Sequence, residues 1–243
     1  MNSDKNRPIL PILLLTARPG AGKSEIIKYF SSLSLKERKD KFHIGKMKVI
    51  DDFPFLWRWF EEDFLLNQLG KESLFTDQEG YFKFIHQWDL LIQLINLEYD
   101  KFLRDEDKSD AYTVILEFSR GKEHGGYKRA FPVLSDKILD KLSILYVNVS
   151  WNESLRKNRK RFNPDKPYSI LEHGIPDKKL KHMYHDCDFL EISEADKSFI
   201  SIRNRNVPYT IFENEDDVTT EYKTAFYSRL ENSLNILWEN RFH

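Results

Sequence analysis

The chain has 243 residues, 40% of them hydrophobic and 14% aromatic, enough to bury a substantial core as one α/β domain that carries an insertion. Lys and Arg number 38 against 39 Asp and Glu, a formal net charge of −1. That balance supplies no global attraction to nucleic acid or to an anionic membrane, so an anion-binding surface has to be local. Cys187 is the only cysteine, which excludes an internal disulfide framework and points to a reducing, cytoplasmic setting.

In chain order, the run ILPILLLT from Ile9 to Thr16 is apolar, short and bounded by Arg18, Pro19 and Gly20, the pattern of a strand buried on both faces. It is too short to span a bilayer, so no membrane segment is expected there. Lys23 to Leu33 places Ile26, Ile27 and Phe30 at helical spacing and breaks at Ser31 and Ser32. A second strand is expected at Lys46 to Ile50, ending on Asp51 and Asp52 before Pro54. The aromatic-rich region 53–110 reads as an insertion of two or three amphipathic helices around a loop at Gly70 to Gly80, closed by the charged residues Arg104 to Asp110. Tyr112 to Phe118 and Ser143 to Val149 are β-branched strands with a short helix at Leu134 to Lys141 between them, a succession that predicts parallel pairing. A basic helix at Trp151 to Arg161, a stretch with Pro and His to about Asp188, a last strand at Tyr209 to Phe212 and a terminal helix from Thr219 to Trp238 complete the chain.

The segment ARPGAGKS, Ala17 to Ser24, matches the Walker A pattern, with Ala17 where the first glycine usually stands. In that pattern the backbone of Ala17, Arg18, Pro19, Gly20, Ala21 and Gly22 turns successive N–H groups toward phosphate oxygens, Lys23 bridges the outer phosphates and the Ser24 hydroxyl ligates Mg²⁺. The following helix adds its positive end. A glycine turn with a solvated lysine is the plain alternative; the position between a buried strand and an amphipathic helix favours the phosphate loop.

With that segment the sequence resembles the P-loop kinases of small molecules, the group that holds nucleoside, nucleotide, shikimate and gluconate kinases. The resemblance implies a three-layer P-loop NTPase fold over residues 1–243, with a mostly parallel sheet of about five strands. It also implies an acceptor-binding region in the insertion after the second strand and an arginine-bearing lid at 151–188. The expected ligands are ATP or another NTP, Mg²⁺ and a small hydroxyl- or phosphate-bearing acceptor. Nucleic acid and membrane are not expected partners, and a protein partner stays open.

The segment VIDDFPFLW is similar to the Asp-Asp-Phe segment of uridine-kinase-like enzymes, which implies that Asp51 or Asp52 takes the acceptor hydroxyl's proton while the other, Asp52 in the metal set, ligates Mg²⁺ or its water. Helix capping by the same aspartates is an equal alternative. Glu117 and Arg120 end the third strand as EFSRG: the carboxylate suits the Mg²⁺ water shell and the guanidinium suits a phosphate. Arg156, Arg159 and Lys160 recur at spacings of three and four, so they share a helix face, and the first two are the candidate lid arginines; a solvated basic helix end is the alternative. Asn214 falls where related kinases wrap the adenine base, with Asp217 or Thr219 as possible caps of the last helix. His173, His182, His185 and Cys187 fit no standard zinc spacing. These residues together predict a kinase, with a nucleotide-dependent switch or partner-binding ATPase as the rival.

Overall fold

The apolar run after residue 9 forms β1 (Ile12–Ala17), every residue of which is buried. The computed structural model describes residues 9–105, 111–161, 165, 174–222 and 224–241; the charged residues 106–110, His173 and the centre of the expected lid lie outside them. After β1 come α1 (Lys23–Ser32), α2 (Leu35–Phe42), β2 (Lys46–Asp51), α3 (Phe53–Gln68), α4 (His86–Asp105) and β3 (Tyr112–Phe118). The chain continues through α5 (Gly126–Ala130), α6 (Asp136–Leu139), β4 (Leu142–Asn148), α7 (Trp151–Arg161), α8 (Asp177–Tyr184) and α9 (Phe189–Ile192). It closes with β5 (Phe199–Ile202), β6 (Arg205–Glu213) and α10 (Thr224–Asn240).

The sheet has six strands in the order β2-β3-β1-β4-β6-β5. All neighbours are parallel except β5 and β6. Side-chain alternation along the strands divides the core in two. On one face Leu13, Leu15, Ile115 and Leu145 pack with Ile26 and Phe30 of α1 and with Phe226, Leu230 and Leu234 of α10. On the other, Ile12, Leu14, Leu116 and Ile144 meet Ile92, Ile95 and Tyr99 of α4, together with Phe131 and Phe189. Helices therefore cover both faces, as a parallel sheet requires. Each of these fully buried aliphatic side chains contributes about 1.5–3 kcal/mol relative to exposure.

The chain steps from β1 outward to β2, returns to β3, then crosses to β4 on the far side of β1. This reversal opens a crevice at the carboxyl ends of β1 and β3, the place where open α/β sheets bind ligands. Register brings Thr16 beside Phe118 and Asp51 beside Glu117, so the ends of β1, β2 and β3 share one level.

The insertion is helical, as its amphipathic pattern predicts, and has a core of its own: Trp59, Trp88 and Leu91, with Phe75 and Phe82 against them. Asp63, buried in α3, fastens its loop. Its carboxylate accepts from the Leu74 N–H at 2.6 Å and from the Thr76 N–H and hydroxyl at 2.7 Å each; these bonds hold it below the usual carboxylate range despite the opposing effect of burial.

Three expectations need revision. The sheet has six strands rather than about five, because β5 and β6 form a hairpin through Arg203 (φ 49°) and Asn204 (φ 63°), two left-handed residues that suit the strand twist without a glycine to announce them. The short α2 is an additional helix; Ser34 and Glu37 form a reciprocal capping box at its start. The terminal helix begins at Thr224, so neither Asp217 nor Thr219 caps it. Among the described residues no helix is long and apolar enough to cross a membrane.

Candidate phosphate-binding and catalytic site

The glycine turn is rigidly backed. Gly20 has φ 74° and Gly22 φ 113°, angles that an L side chain rarely adopts. A Cβ on Gly22 would lie 2.6 Å from Thr219 Oγ1 and 2.7 Å from Asn214 Nδ2, so glycine is required on both conformational and steric grounds. Arg18 donates to the Val149 carbonyl at 3.1 Å and to the Tyr184 and His185 carbonyls at 3.3 Å each. Ser154 of α7 donates to the Pro19 carbonyl at 2.7 Å, and fully buried Asn214 donates to the Ala21 carbonyl at 2.7 Å. Ala17 is the buried end of β1. Lys23 opens α1 with Gly22 at its cap position and no side-chain cap, leaving the first-turn N–H groups directed outward for an anion.

From this turn a cavity of about 900 Å³ runs over the carboxyl ends of the strands, lined by Lys23, Ser24, Asp51, Asp52, Glu117 and Arg120. Lys23 Nζ donates to Ser119 Oγ at 2.9 Å and lies 3.7 Å from Glu117 Oε1. The two aspartates diverge. Asp51 Oδ1 accepts from the Phe53 N–H at 3.0 Å, while Asp52 occupies the cap position of α3 without capping it. Instead, Asp52 Oδ2 accepts from Arg120 at 2.6 Å, in an ion pair whose side chains are 1% (Arg120) and 8% (Asp52) exposed.

Arg120 stands with its guanidinium carbon 5.1 Å from the Trp88 ring centroid and 5.2 Å from that of Phe118, a cation–π setting inside a desolvated wall. Behind it His124 stacks on Trp88 at 3.6 Å between ring centroids. Burial first, then the positive charge of Arg120, holds that imidazole well below its ordinary pKa and hence neutral.

Three carboxyls crowd this end of the cavity. Asp51 is pushed up to about 7, chiefly by burial and then by the charges of Glu117 and Asp52. Burial likewise raises Glu117 against the pull of Lys23, and Asp52 against the pull of Arg120. Asp51 is thus the group poised to exchange a proton near neutral pH.

Of the face expected on the basic helix α7, only Lys160 lines the cavity. Arg156 is bidentate to Glu153 at 2.7 and 2.6 Å and also reaches Asp217 at 2.9 Å; Arg159 pairs with Asp177 at 2.6 Å. Neither lines the cavity, which receives Lys157, Asn158, Lys160 and Arg161 from this helix. The helix is anchored by Ser154 and by Lys157 Nζ, 2.6 Å from Asp217 Oδ1, and these contacts fix which side faces in. Asn214 does not line the cavity either: it supports the turn from behind.

Sequence reasoning thus finds Lys23, Ser24, Asp51, Asp52, Glu117 and Arg120 in one place. It names Lys157 and Arg161 only as neighbours of the expected lid face, reads the aromatics around Trp88 as mostly core with some lining an acceptor pocket, and misses Tyr184, which looks like core by residue type.

Among the described residues no group of three or more His, Cys, Asp or Glu side chains is arranged to hold a metal by itself. His182 lies 3.8 Å from Glu123 and His185 pairs with Asp186 at 2.9 Å, while Cys187 Sγ is 3.4 Å from Tyr146 Oη. The Ser24 hydroxyl and the three carboxyls on one cavity suit the ion that needs only one or two protein oxygens beside water and phosphate, which is Mg²⁺.

No protein-family model matches the chain, and neither does any curated protein. Among solved structures it is similar to APE1195, at 14% identity over 92% of this chain and 96% of that one with a TM-score of 0.37. It is also similar to TT1252 from Thermus thermophilus, at 15% identity over 96% of this chain and 98% of that one with a TM-score of 0.44. The chain is an α/β protein with a six-stranded, mostly parallel sheet.

Proposed function

We propose that this is a P-loop phosphotransferase that moves the γ-phosphoryl group of ATP to a hydroxyl of a small acceptor, and that Ser24 would help hold the Mg²⁺ that accompanies the nucleotide. The observation that carries the reading is the convergence on one cavity of Lys23, beside outward N–H groups, with Asp51, a carboxyl pushed up to about 7. Mg²⁺ would screen phosphate charge and orient the outer phosphates.

The chain's own residues do the rest. The turn and Lys23 hold the β- and γ-phosphates, and Asp51 accepts the acceptor's hydroxyl proton as the oxygen bonds to γ-phosphorus and the bond to ADP breaks. The Asp52–Arg120 pair orients the acceptor. Lys157, Lys160 and Arg161 offset charge on the transferring group from the α7 side.

A second reading, a partner-binding ATPase, is supported by the apolar side chains that the insertion exposes: Phe64 at 61%, Leu69 at 74% and Leu74 at 64%. ADP release from Mg·ATP, measured alone and with pooled nucleosides, sugars, nucleotides and hydroxy acids, separates the two. The kinase reading predicts release that rises with one pool and falls about 10²–10⁴-fold in Asp51→Asn, the range for a lost general base. Release indifferent to every pool and to that substitution overturns it in favour of the ATPase.

A further inference from the structure

Tyr184, the last residue of α8, lines the cavity while only 7% exposed. Its phenol is close enough to Arg120 and Asp52, the buried ion pair of the cavity wall, to feel both charges. The ring meets His124 edge to face, with centroids 5.1 Å apart. A buried tyrosine oxygen normally finds a partner. Tyr127 does so with Thr16 at 2.7 Å, and Tyr209 with the Ser193 and Asp196 carbonyls at 3.0 and 2.7 Å. Among the described residues the Tyr184 hydroxyl has none.

The backbone that carries this hydroxyl is held from several directions. Arg18 of the phosphate turn donates to the Tyr184 and His185 carbonyls at 3.3 Å each. From the end of β3, the Lys122 N–H donates to the Asp186 carbonyl at 2.9 Å. Gly121 lets the Met183 carbonyl approach so closely that a Cβ there would lie 1.8 Å from it. From the insertion, the Gly80 carbonyl accepts from Lys179 of α8 at 3.2 Å. Residue 184 is therefore fixed relative to the phosphate turn, to Arg120 and to the insertion. A hydroxyl on so firm a support, left unused by the protein and set in the cavity wall, is preorganised for a ligand.

We propose that Tyr184 binds the acceptor, its hydroxyl donating a hydrogen bond to a second oxygen of that molecule, distinct from the hydroxyl that receives the phosphoryl group. The proposal rests on the phosphotransferase reading and adds a requirement to it: the acceptor carries at least two oxygen functions. Arg120 and Asp52 are committed to each other at 2.6 Å, and Tyr184 supplies an uncharged donor beside them. A phenol O–H rotates to suit a hydroxyl or a carbonyl oxygen alike. An acceptor without the second oxygen would cover the phenol and leave it unpaired, which is how the site discriminates.

The test uses the full chain with Mg·ATP and four sets of probes: ribonucleosides, ribonucleotides, aldoses and hydroxy acids, each beside its singly deoxygenated analogues. The phosphorylated product is read by mass spectrometry, and kcat and KM are compared between wild type and Tyr184→Phe, which removes one oxygen and keeps the ring against His124. With the probe that wild type turns over fastest, the variant should lose about two- to tenfold in kcat/KM, the net worth of one neutral hydrogen bond. Mg·ATP affinity and Tm should stay unchanged. With the one analogue that lacks the contacted oxygen, wild type and variant should perform alike. An equal loss with every analogue, or a matching fall in Mg·ATP affinity, marks a structural role and overturns the proposal. An unchanged kcat/KM overturns it too, and each of these results leaves the phosphotransferase reading standing. Turnover of no probe by a chain that binds Mg·ATP overturns both.

Discussion

Asp51 is where the chemistry of a single residue can be tested most sharply. A general base acts in its ionised form, so acceptor-dependent kcat/KM should climb with pH along a limb centred near 7, the value to which Asp51 is pushed. Asp51→Asn should abolish that limb, and a flat profile in the wild-type protein would contradict the assignment. The same shift governs stability. Asp51 holds its proton more tightly in the folded chain than at the ordinary 3.8, so its contribution is fully present below that value and is lost as pH rises to about 7. In the free protein, Asp51→Asn should therefore melt at a higher temperature than wild type at pH 8, with the gap closing toward pH 4. An equal gap at both pH values would count against burial as the cause. The sequence marks the Asp51–Asp52 pair but not the division of labour within it. Arg120, distant in sequence, claims Asp52 across the crevice, and only the fold brings that partner into view.

At the scale of elements, the glycine turn and α7 show two opposite kinds of readability. Gly20, Gly22, Lys23 and Ser24 follow a local pattern that the sequence shows directly, and Arg18, Ser154 and Asn214 then back the turn from distant elements. Gly22→Ala would force a Cβ against Thr219 and Asn214 at under 3 Å; it should weaken Mg·ATP binding strongly and lower Tm, as measured by titration and melting. A variant with unaltered nucleotide affinity would mean that this turn does not hold the phosphates. The periodicity of α7 groups its basic residues but cannot say which face turns inward. That choice is made by Ser154 against Pro19 and by Asp217, which lies beyond β6. The start of α2 offers a control away from the cavity: Ser34→Ala removes its capping box and should cost about 1 kcal/mol of stability with nucleotide affinity unchanged. A fall in affinity with that substitution would link α2 to the site.

For the molecule as a whole, the reversal of strand order around β1 creates the crevice; the alternation of strands and helices predicts the parallel pairing but not that order. The β5–β6 hairpin escapes such a reading because its turn residues, Arg203 and Asn204, carry no glycine. The insertion's helices follow from their amphipathic pattern, whereas its closure depends on Asp63 reaching the loop residues Leu74 to Thr76, a contact with no sequence signature. A ligand that binds the folded chain alone stabilises it by about 2.7 kcal/mol at a hundredfold excess over Kd. Mg·ATP should therefore raise the Tm of the whole chain.

The most direct measurement is a calorimetric titration of Mg·ATP into the wild-type chain and into Lys23→Ala, with melting curves for both. Saturable binding to the wild type, weakened by roughly tenfold or more in a variant that remains folded, as the loss of a charge-assisted contact implies, is the expected result. Equal affinity in the two proteins, or no binding to the wild type, would contradict the assignment of Ala17 to Ser24 as the phosphate-binding turn.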